Sequence, residues 1–366
     1  MKNRSKYLVI AGLTLLTGSA IAQKKSETDA ALSLRSFETA MGSQDMVSAR
    51  KSILKAKEFV DLAAAHPDTD KSPKTLFLKG EIYASIYLLR ALNDAEFNAS
   101  TPANAIETAI TAYNTCYVSS DKYDGEIEQS IYQGKGQLDV YGSTLVTAKK
   151  YEEAMEIYQL NSKFSKAINQ TDTTSLYYAG ICAENAEKWA EAAELYRQCA
   201  NLGYKPESIY RSTASAYIQA KQNEKAIEFL DQAIVKAPND KLLYFTLGTI
   251  AMDFNDDEKV KTNLNKAIEI DPSYSDAYFN LGSYFFGKGA DLRNKANDLP
   301  PAERKQQDEL LAQSVAFYNL ASPPLEKYVA LVPTDKAVIK SLFQIFRAVK
   351  NTEKEAQYKK LYDESK

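Results

Sequence analysis

Few residues in this chain could do chemistry. His66 is the single histidine among 366 residues. Sites that need two or three imidazoles, such as H-E-x-x-H zinc sites and two-histidine iron sites, are therefore excluded. His66 stands before Pro67 in the loop-like stretch AAAHPDTD, with no nucleophile nearby for which it could act as a base, and reads as a solvated loop histidine. Asp253-x-Asn255-x-Asp257 has the opening spacing of a calcium loop. Its sixth position is Glu258 where that loop turns on glycine, and its twelfth is Leu264 where it needs glutamate. Gly134-Lys135-Gly136 and Gly287-Lys288-Gly289 are superficial matches to a phosphate loop and lack the strand that must precede one. Glu152-Glu153, and Glu191 with Glu194, lie near lysine and arginine, as on solvated helix faces. No Ser-His-Asp, Cys-His or Gly-x-Ser-x-Gly arrangement can be assembled. The expectation is a chain with no catalytic residues, no metal and no cofactor.

Cys116, Cys182 and Cys199 remain. Cys182 and Cys199 are the close pair, and an oxidising compartment would permit a bridge between them. The competing reading is that of small thiols buried in helix packing, the commoner fate of an unbridged cysteine.

The compartment is suggested by residues 1–22, MKNRSKYLVIAGLTLLTGSAIA. Lys2, Arg4 and Lys6 precede an apolar stretch from Tyr7 to Leu16, and Ala20-Ile21-Ala22 ends in small residues before Gln23. These are the three parts of a Sec signal peptide cleaved between Ala22 and Gln23. No other long apolar run follows, so no transmembrane segment is expected after cleavage. The expected location is the periplasm, with outer-membrane association or secretion as alternatives. The chain carries 45 Lys+Arg against 48 Asp+Glu, a net charge of −3. That leaves no basic surplus for neutralising phosphates, so nucleic acid is not an expected partner.

A chain this long exceeds the usual single core of roughly 250–300 residues, which points to two domains or a repeat array. Windows starting at Thr173, Glu207, Lys241 and Ser275 are evenly spaced and follow one another without a gap. Position 4 holds Leu176, Tyr210, Tyr244 and Tyr278, and position 8 holds Gly180, Ala214, Gly248 and Gly282. In the first three windows position 20 is Ala192, Ala226 and Val260, and position 24 is Tyr196, Leu230 and Leu264. Pro238 and Pro272 stand at position 32. Spacings of three and four place positions 4, 8 and 11 on one face of a first helix, and positions 20, 24 and 27 on one face of a second. Small residues let the two helices approach and large ones fill around them. Proline then ends the second helix.

This pattern resembles the tetratricopeptide repeat (TPR) family, most closely in the window with Tyr244, Gly248, Leu264, Ala267 and Pro272. The resemblance implies an all-α fold, an α-solenoid in which antiparallel helix pairs stack into a superhelix. In the fourth window Ala321, Leu325, Tyr328 and Pro333 take positions 20, 24, 27 and 32 after a long insertion. The added segment reads as an extended helical hairpin jointed at Asp298-Leu299-Pro300-Pro301. The expected organisation is a signal peptide at 1–22, degenerate TPR-like helix pairs at 23–172, a regular array at 173–333 with the inserted hairpin at about 287–315, and capping helices at 334–366.

In TPR proteins, first-helix positions 2, 5, 9, 12 and 13 line a concave partner-binding groove. Carried over, these positions include Tyr177, Ile181 and Asn185, then Arg211 and Ser215, then Leu242, Phe245, Thr249 and Met252, and finally Phe279 and Phe286. The apolar row among them reads either as a peptide groove or as packing against an adjacent helix or the hairpin. Chaperone-docking members of the family use a Lys and Asn clamp at positions 5 and 9. Here those positions hold Tyr177/Ile181, Arg211/Ser215, Phe245/Thr249 and Phe279/Ser283, so an acidic C-terminal peptide is not the expected ligand. The resemblance implies a non-enzymatic scaffold or adaptor for a protein or peptide of the cell envelope. The 24 tyrosines of the full chain keep a second reading open, a glycan- or peptidoglycan-binding envelope protein.

Overall fold

The computed structural model describes residues 24–90, 95–204 and 206–364. The expected signal segment and its Ala22–Gln23 cleavage site lie outside them. Among the described residues all regular structure is helical, and no helix is long and apolar enough to cross a membrane. The protein is an α-solenoid built of antiparallel helix pairs. It forms two compact units that divide between Ala186 and Glu187.

The first unit holds α1 (24–42), α2 (Met46–Ala64), α3 (Pro73–Arg90), the short α4 (Ala95–Ser100), α5 (Ala105–Ser119), α6 (Asp124–Thr147), α7 (Tyr151–Lys166) and α8 (Thr173–Asn185). The second holds α9 (Trp189–Asn201), α10 (Pro206–Gln219), α11 (Asn223–Lys236), α12 (Lys241–Asp253), α13 (Asp257–Ile270), α14 (Ser275–Asp298), α15 (Arg304–Leu331), α16 (Lys336–Ala348) and α17 (Thr352–Glu364).

The turn inside each pair repeats with the sequence. Glu187, Lys221 and Asn255 occupy the same place in successive windows and all take left-handed backbone, at φ of 58°, 57° and 53°. That conformation closes the first helix. The Asn255 N–H donates to the Met252 carbonyl at 3.0 Å and the Asp256 N–H to the Ala251 carbonyl at 3.1 Å, which satisfies carbonyls the helix leaves open. After Asn255 the next helix opens on an aspartate cap. Asp256 accepts from the Lys259 N–H at 3.1 Å, and Asp335 accepts from Ala337 and Val338 in the same way. The calcium-like spacing around Asn255 is thus the turn of a helix pair.

The pairs close on small residues. A β-carbon on Gly248 would stand 2.8 Å from the side chain of Leu264, and one on Gly142 would stand 3.0 Å from Tyr158. In the long hairpin the same contact occurs twice. Gly282 faces Leu325 and, one heptad further along, Gly289 faces Tyr318, the step expected of an antiparallel seam. Buried Ser314 donates to the Gly289 carbonyl across that seam at 2.7 Å. In the second unit Val260, Leu264, Phe285, Leu325, Leu342 and Phe346 belong to one continuous core running from α12 to α17.

Cys116, Cys182 and Cys199 are all buried and none is in a disulfide. The bridge that export would permit between Cys182 and Cys199 is therefore not formed. Each of these two thiols is packed inside its own unit, and burial pushes both up to about 11. His66 serves its loop: its Nδ1 accepts from the Asp68 N–H at 3.2 Å.

Candidate functional site

Helices α10, α12 and α14 carry the groove positions of the second unit. The Asp240 cap and the register of Gly248 against Leu264 fix how α12 turns on its axis, and this sets which residues leave the core. Leu243, Leu247, Ile250 and Ala251 are buried, while Leu242, Phe245, Thr249 and Met252 lie half-buried beside them. The apolar row divides along its length. Phe245 packs on Tyr274, ring centroids 5.0 Å apart, and Lys241 stands 4.7 Å over the same Tyr274 ring. Phe279 packs on Tyr328 at 5.2 Å and keeps 37% of its surface exposed. Phe286 meets Tyr318 of α15 at 5.8 Å, and Phe245, Met252 and Phe286 all also touch the core. Thr249 accepts from the Asn280 side-chain amide at 3.1 Å, while Ser215 is exposed.

A recess opens between the loops at the start of α12 and the end of α13, lined by Arg211, Pro238, Asp240, Leu242 and Asp271 among others. Arg211 is 3.3 Å from Asp240, and Lys241 donates to Asp271. Asp271 also accepts from the Ser273 N–H and hydroxyl, at 2.9 and 2.6 Å. The Lys241 hydrogen bond, followed by the Ser273 bonds, holds the Asp271 carboxyl down at about 2. A depressed carboxylate stabilises the fold fully above its ordinary value of 3.8, and the contribution is lost as pH falls through about 2. Lys241→Met should therefore move the Asp271 titration up toward 3.8, which carboxyl NMR across that range reads directly.

Residues 243–274 match the family model for the tetratricopeptide repeat. The matched segment covers α12, α13 and the turn into α14, the helix pair that carries Phe245 and the left-handed Asn255. That helix pair is a tetratricopeptide repeat. No curated protein matches the chain. Among solved structures it is similar to a TPR repeats protein from Bacteroides fragilis, at 26% identity over 58% of this chain and 97% of that one, with a TM-score of 0.40. It is also similar to the C-terminal part of a TPR repeat-containing protein from Cytophaga hutchinsonii, at 15% identity over 84% of this chain and 99% of that one, with a TM-score of 0.38. A third is YrrB, described as a TPR protein with an unusual peptide-binding site, at 17% identity over 52% of this chain and 91% of that one, TM-score 0.35.

Three tyrosines brace the array. Tyr217 donates to Glu194 at 2.8 Å, Tyr284 to Asp257 and Tyr358 to Glu326, each tying one helix pair to the next. Glu194 is also held by Arg197, and Glu326 by Lys354. Lys288, the centre of one Gly-Lys-Gly, pairs with Asp257. Burial resists ionisation of Asp257, but Lys288 and Tyr284 outweigh it and keep the carboxyl below its usual range.

In the first unit the TPR positions of α8 lie elsewhere. Tyr177 and Ile181 are half-buried, and Asn185 is exposed and donates to the Ile181 carbonyl at 2.8 Å. Ile181 borders a recess that also holds Lys135, Asp139, Tyr158 and Asp172. Lys135, the centre of the other Gly-Lys-Gly, is 2.7 Å from Asp172 and donates to Ser165 at 2.6 Å. Burial opposes the charge on Asp172, yet Lys135 and Ser175 more than offset it and its carboxyl titrates low. Asp139 is pushed up, chiefly by burial. Among the described residues no three histidine, cysteine or carboxylate groups gather as metal ligands.

Sequence reasoning misses Lys241, Asp240, Asp271, Tyr274 and Tyr328, which complete the apolar row. The first four lie in or beside the inter-repeat turns PND and DPSY, where the sequence signals only the end of a helix.

Proposed function

We propose that this protein is a non-catalytic scaffold that holds a protein or peptide segment on the first-helix face of its second unit, between Arg211 and Phe279, and that it works in the cell envelope. The TPR fold supports an interaction role, and the leader-like segment 1–22 supports export. The observation that carries the groove assignment is the row Leu242, Phe245 and Phe279. Each is short of full burial, two of them are braced by Tyr274 and Tyr328, and the row borders a recess edged with both charge signs. Rigid aromatic anchors beside paired charges suit a short segment with apolar side chains, whose backbone could bond to Arg211, Asp240 and Asn280.

The test is photo-crosslinking from position 242, beside the aromatic row, in the native envelope, followed by mass spectrometry. Replacing Phe245 and Phe279 together with alanine should abolish capture of the crosslinked partner while leaving helicity unchanged. Undiminished capture by the double variant would remove the groove assignment.

A further inference from the structure

A different cavity, in the first unit, is built around a carboxylate with no counter-ion. It lies among α3, α5, α6 and α7, with a volume of about 120 Å³ and an open mouth. Its walls are mixed in character. Tyr87, Leu88, Leu138 and Phe164 supply apolar and aromatic surface, and Glu81 is the one carboxyl group in the lining. Among the described residues no lysine or arginine lines it.

Glu81 accepts hydrogen bonds here and has no cation in the cavity wall. Ser130 donates its hydroxyl to the carboxylate, and the fully buried Tyr113 donates a second hydrogen bond. Both neighbours are neutral donors, which suits an acceptor carboxylate. A carboxylate has about four acceptor positions, so lone pairs remain to face the cavity. The surrounding charges make the deficit worse. Burial raises the Glu81 carboxyl above its ordinary range, and the nearby charge acting on it is another carboxylate, Glu38. Tyr87 is pushed up to about 12 by burial, with Glu107 and Glu156 adding to the shift. A part-buried carboxylate without a cation is costly, and other carboxylates in this protein do better: Asp172, Asp257 and Asp271 each have a lysine.

We propose that this cavity binds an organic cation, an alkylammonium or guanidinium group that ion-pairs with Glu81 while its aliphatic stem lies against Leu88, Leu138 and Phe164 and beside the Tyr87 ring. The cation supplies the charge the site lacks, and the aromatic wall adds attraction for a desolvated cation. A lysine or arginine side chain of a partner and a free diamine share this chemistry. The site is independent of the groove on the second unit.

The test titrates the whole protein by NMR with N-acetyl-lysine amide, with 1,4-diaminobutane, and with neutral N-acetyl-norleucine amide. The two amines should shift resonances of Tyr113, Gln133 and Gln137, and norleucine amide should not. The stronger amine tells a side chain from a free diamine. Glu81→Gln should weaken amine binding by about tenfold or more, with an unchanged or higher Tm, because it removes a part-buried charge. A merely structural Glu81 would instead give a lower Tm. Gln137→Lys should place a cation in the cavity from within, raising Tm and blocking the probes. The proposal is overturned by no amine binding up to about 10 mM, by equal binding of norleucine amide, or by amine binding that survives Glu81→Gln.

Discussion

Gly282→Leu should break the long hairpin, with a loss of about 1–3 kcal/mol or more, and should expose α14 and α15 to hydrogen exchange before the rest of the second unit. A β-carbon at this position alone would stand 2.5 and 2.6 Å from Leu325 Cγ and Cδ2 and 3.2 Å from the Leu325 backbone nitrogen. A side chain can swing away, but a helix backbone cannot do so without separating the pair. Leu325 is 1% exposed and belongs to the core that runs on through Leu342 and Phe346, so displacing it disturbs the next pair as well. Gly248→Leu should follow the same course with a smaller loss, since its nearest contact is 2.8 Å. Adding Leu325→Ala to Gly282→Leu should restore part of the stability by exchanging large for small across the seam. The readout is segment-resolved exchange, because a stack of repeats need not unfold as one step. Protection of residues 275–331 unchanged in Gly282→Leu would show that the two helices do not meet here.

That contact shows what the sequence could and could not disclose. Gly248 and Leu264 are separated along the chain by the same interval as Gly142 and Tyr158. A fixed spacing of small and large residues is what periodicity detects, and the helix pairs were legible on that basis. Gly80 and Tyr83 also announce a first helix, but the large partner of Gly80 is Tyr113, far beyond that interval. The short α4 lies between α3 and α5 and breaks the count, so no spacing rule reaches Tyr113. The seam of Gly289 with Tyr318 is similar: its register exists only once the chain has turned at Leu299 and Pro300. The groove positions were legible as positions but not as surroundings. Phe245 and Phe286 occupy related places in their windows, and the sequence does not tell that one braces a loop tyrosine while the other packs under α15. Charge was the least legible of all. Lys135 and Lys288 stand out as centres of Gly-Lys-Gly, yet their structural work is done through Asp172, which caps α8, and Asp257 of α13. Glu81 looks like any surface acid of an amphipathic helix.

Tyr113→Ala should cost about 3–5 kcal/mol, the range for truncating a buried aromatic, and the loss should localise to α3 and α5. The ring is 1% exposed and covers Gly80 so closely that a β-carbon there would collide with three of its carbons. Nothing else is placed to fill that space, because Gly80 offers no side chain and α3 is held by its other contacts. Tyr113→Phe separates the two things this residue does. It keeps the ring on Gly80 and removes the hydroxyl that donates to Glu81, so the cost should be much smaller, while the Glu81 carboxyl should titrate still higher for want of one donor. Exchange protection measured over residues 73–119 distinguishes the two variants from a general loosening of the unit. If alanine proved no worse than phenylalanine, the close approach of α3 and α5 would not depend on this ring. The irregular pair would then be held differently from those with the regular spacing. If both variants behave as stated, one device, a bulky side chain laid over a glycine, joins helices in both the regular and the interrupted repeats, and Tyr113 additionally shapes the cavity that Glu81 lines.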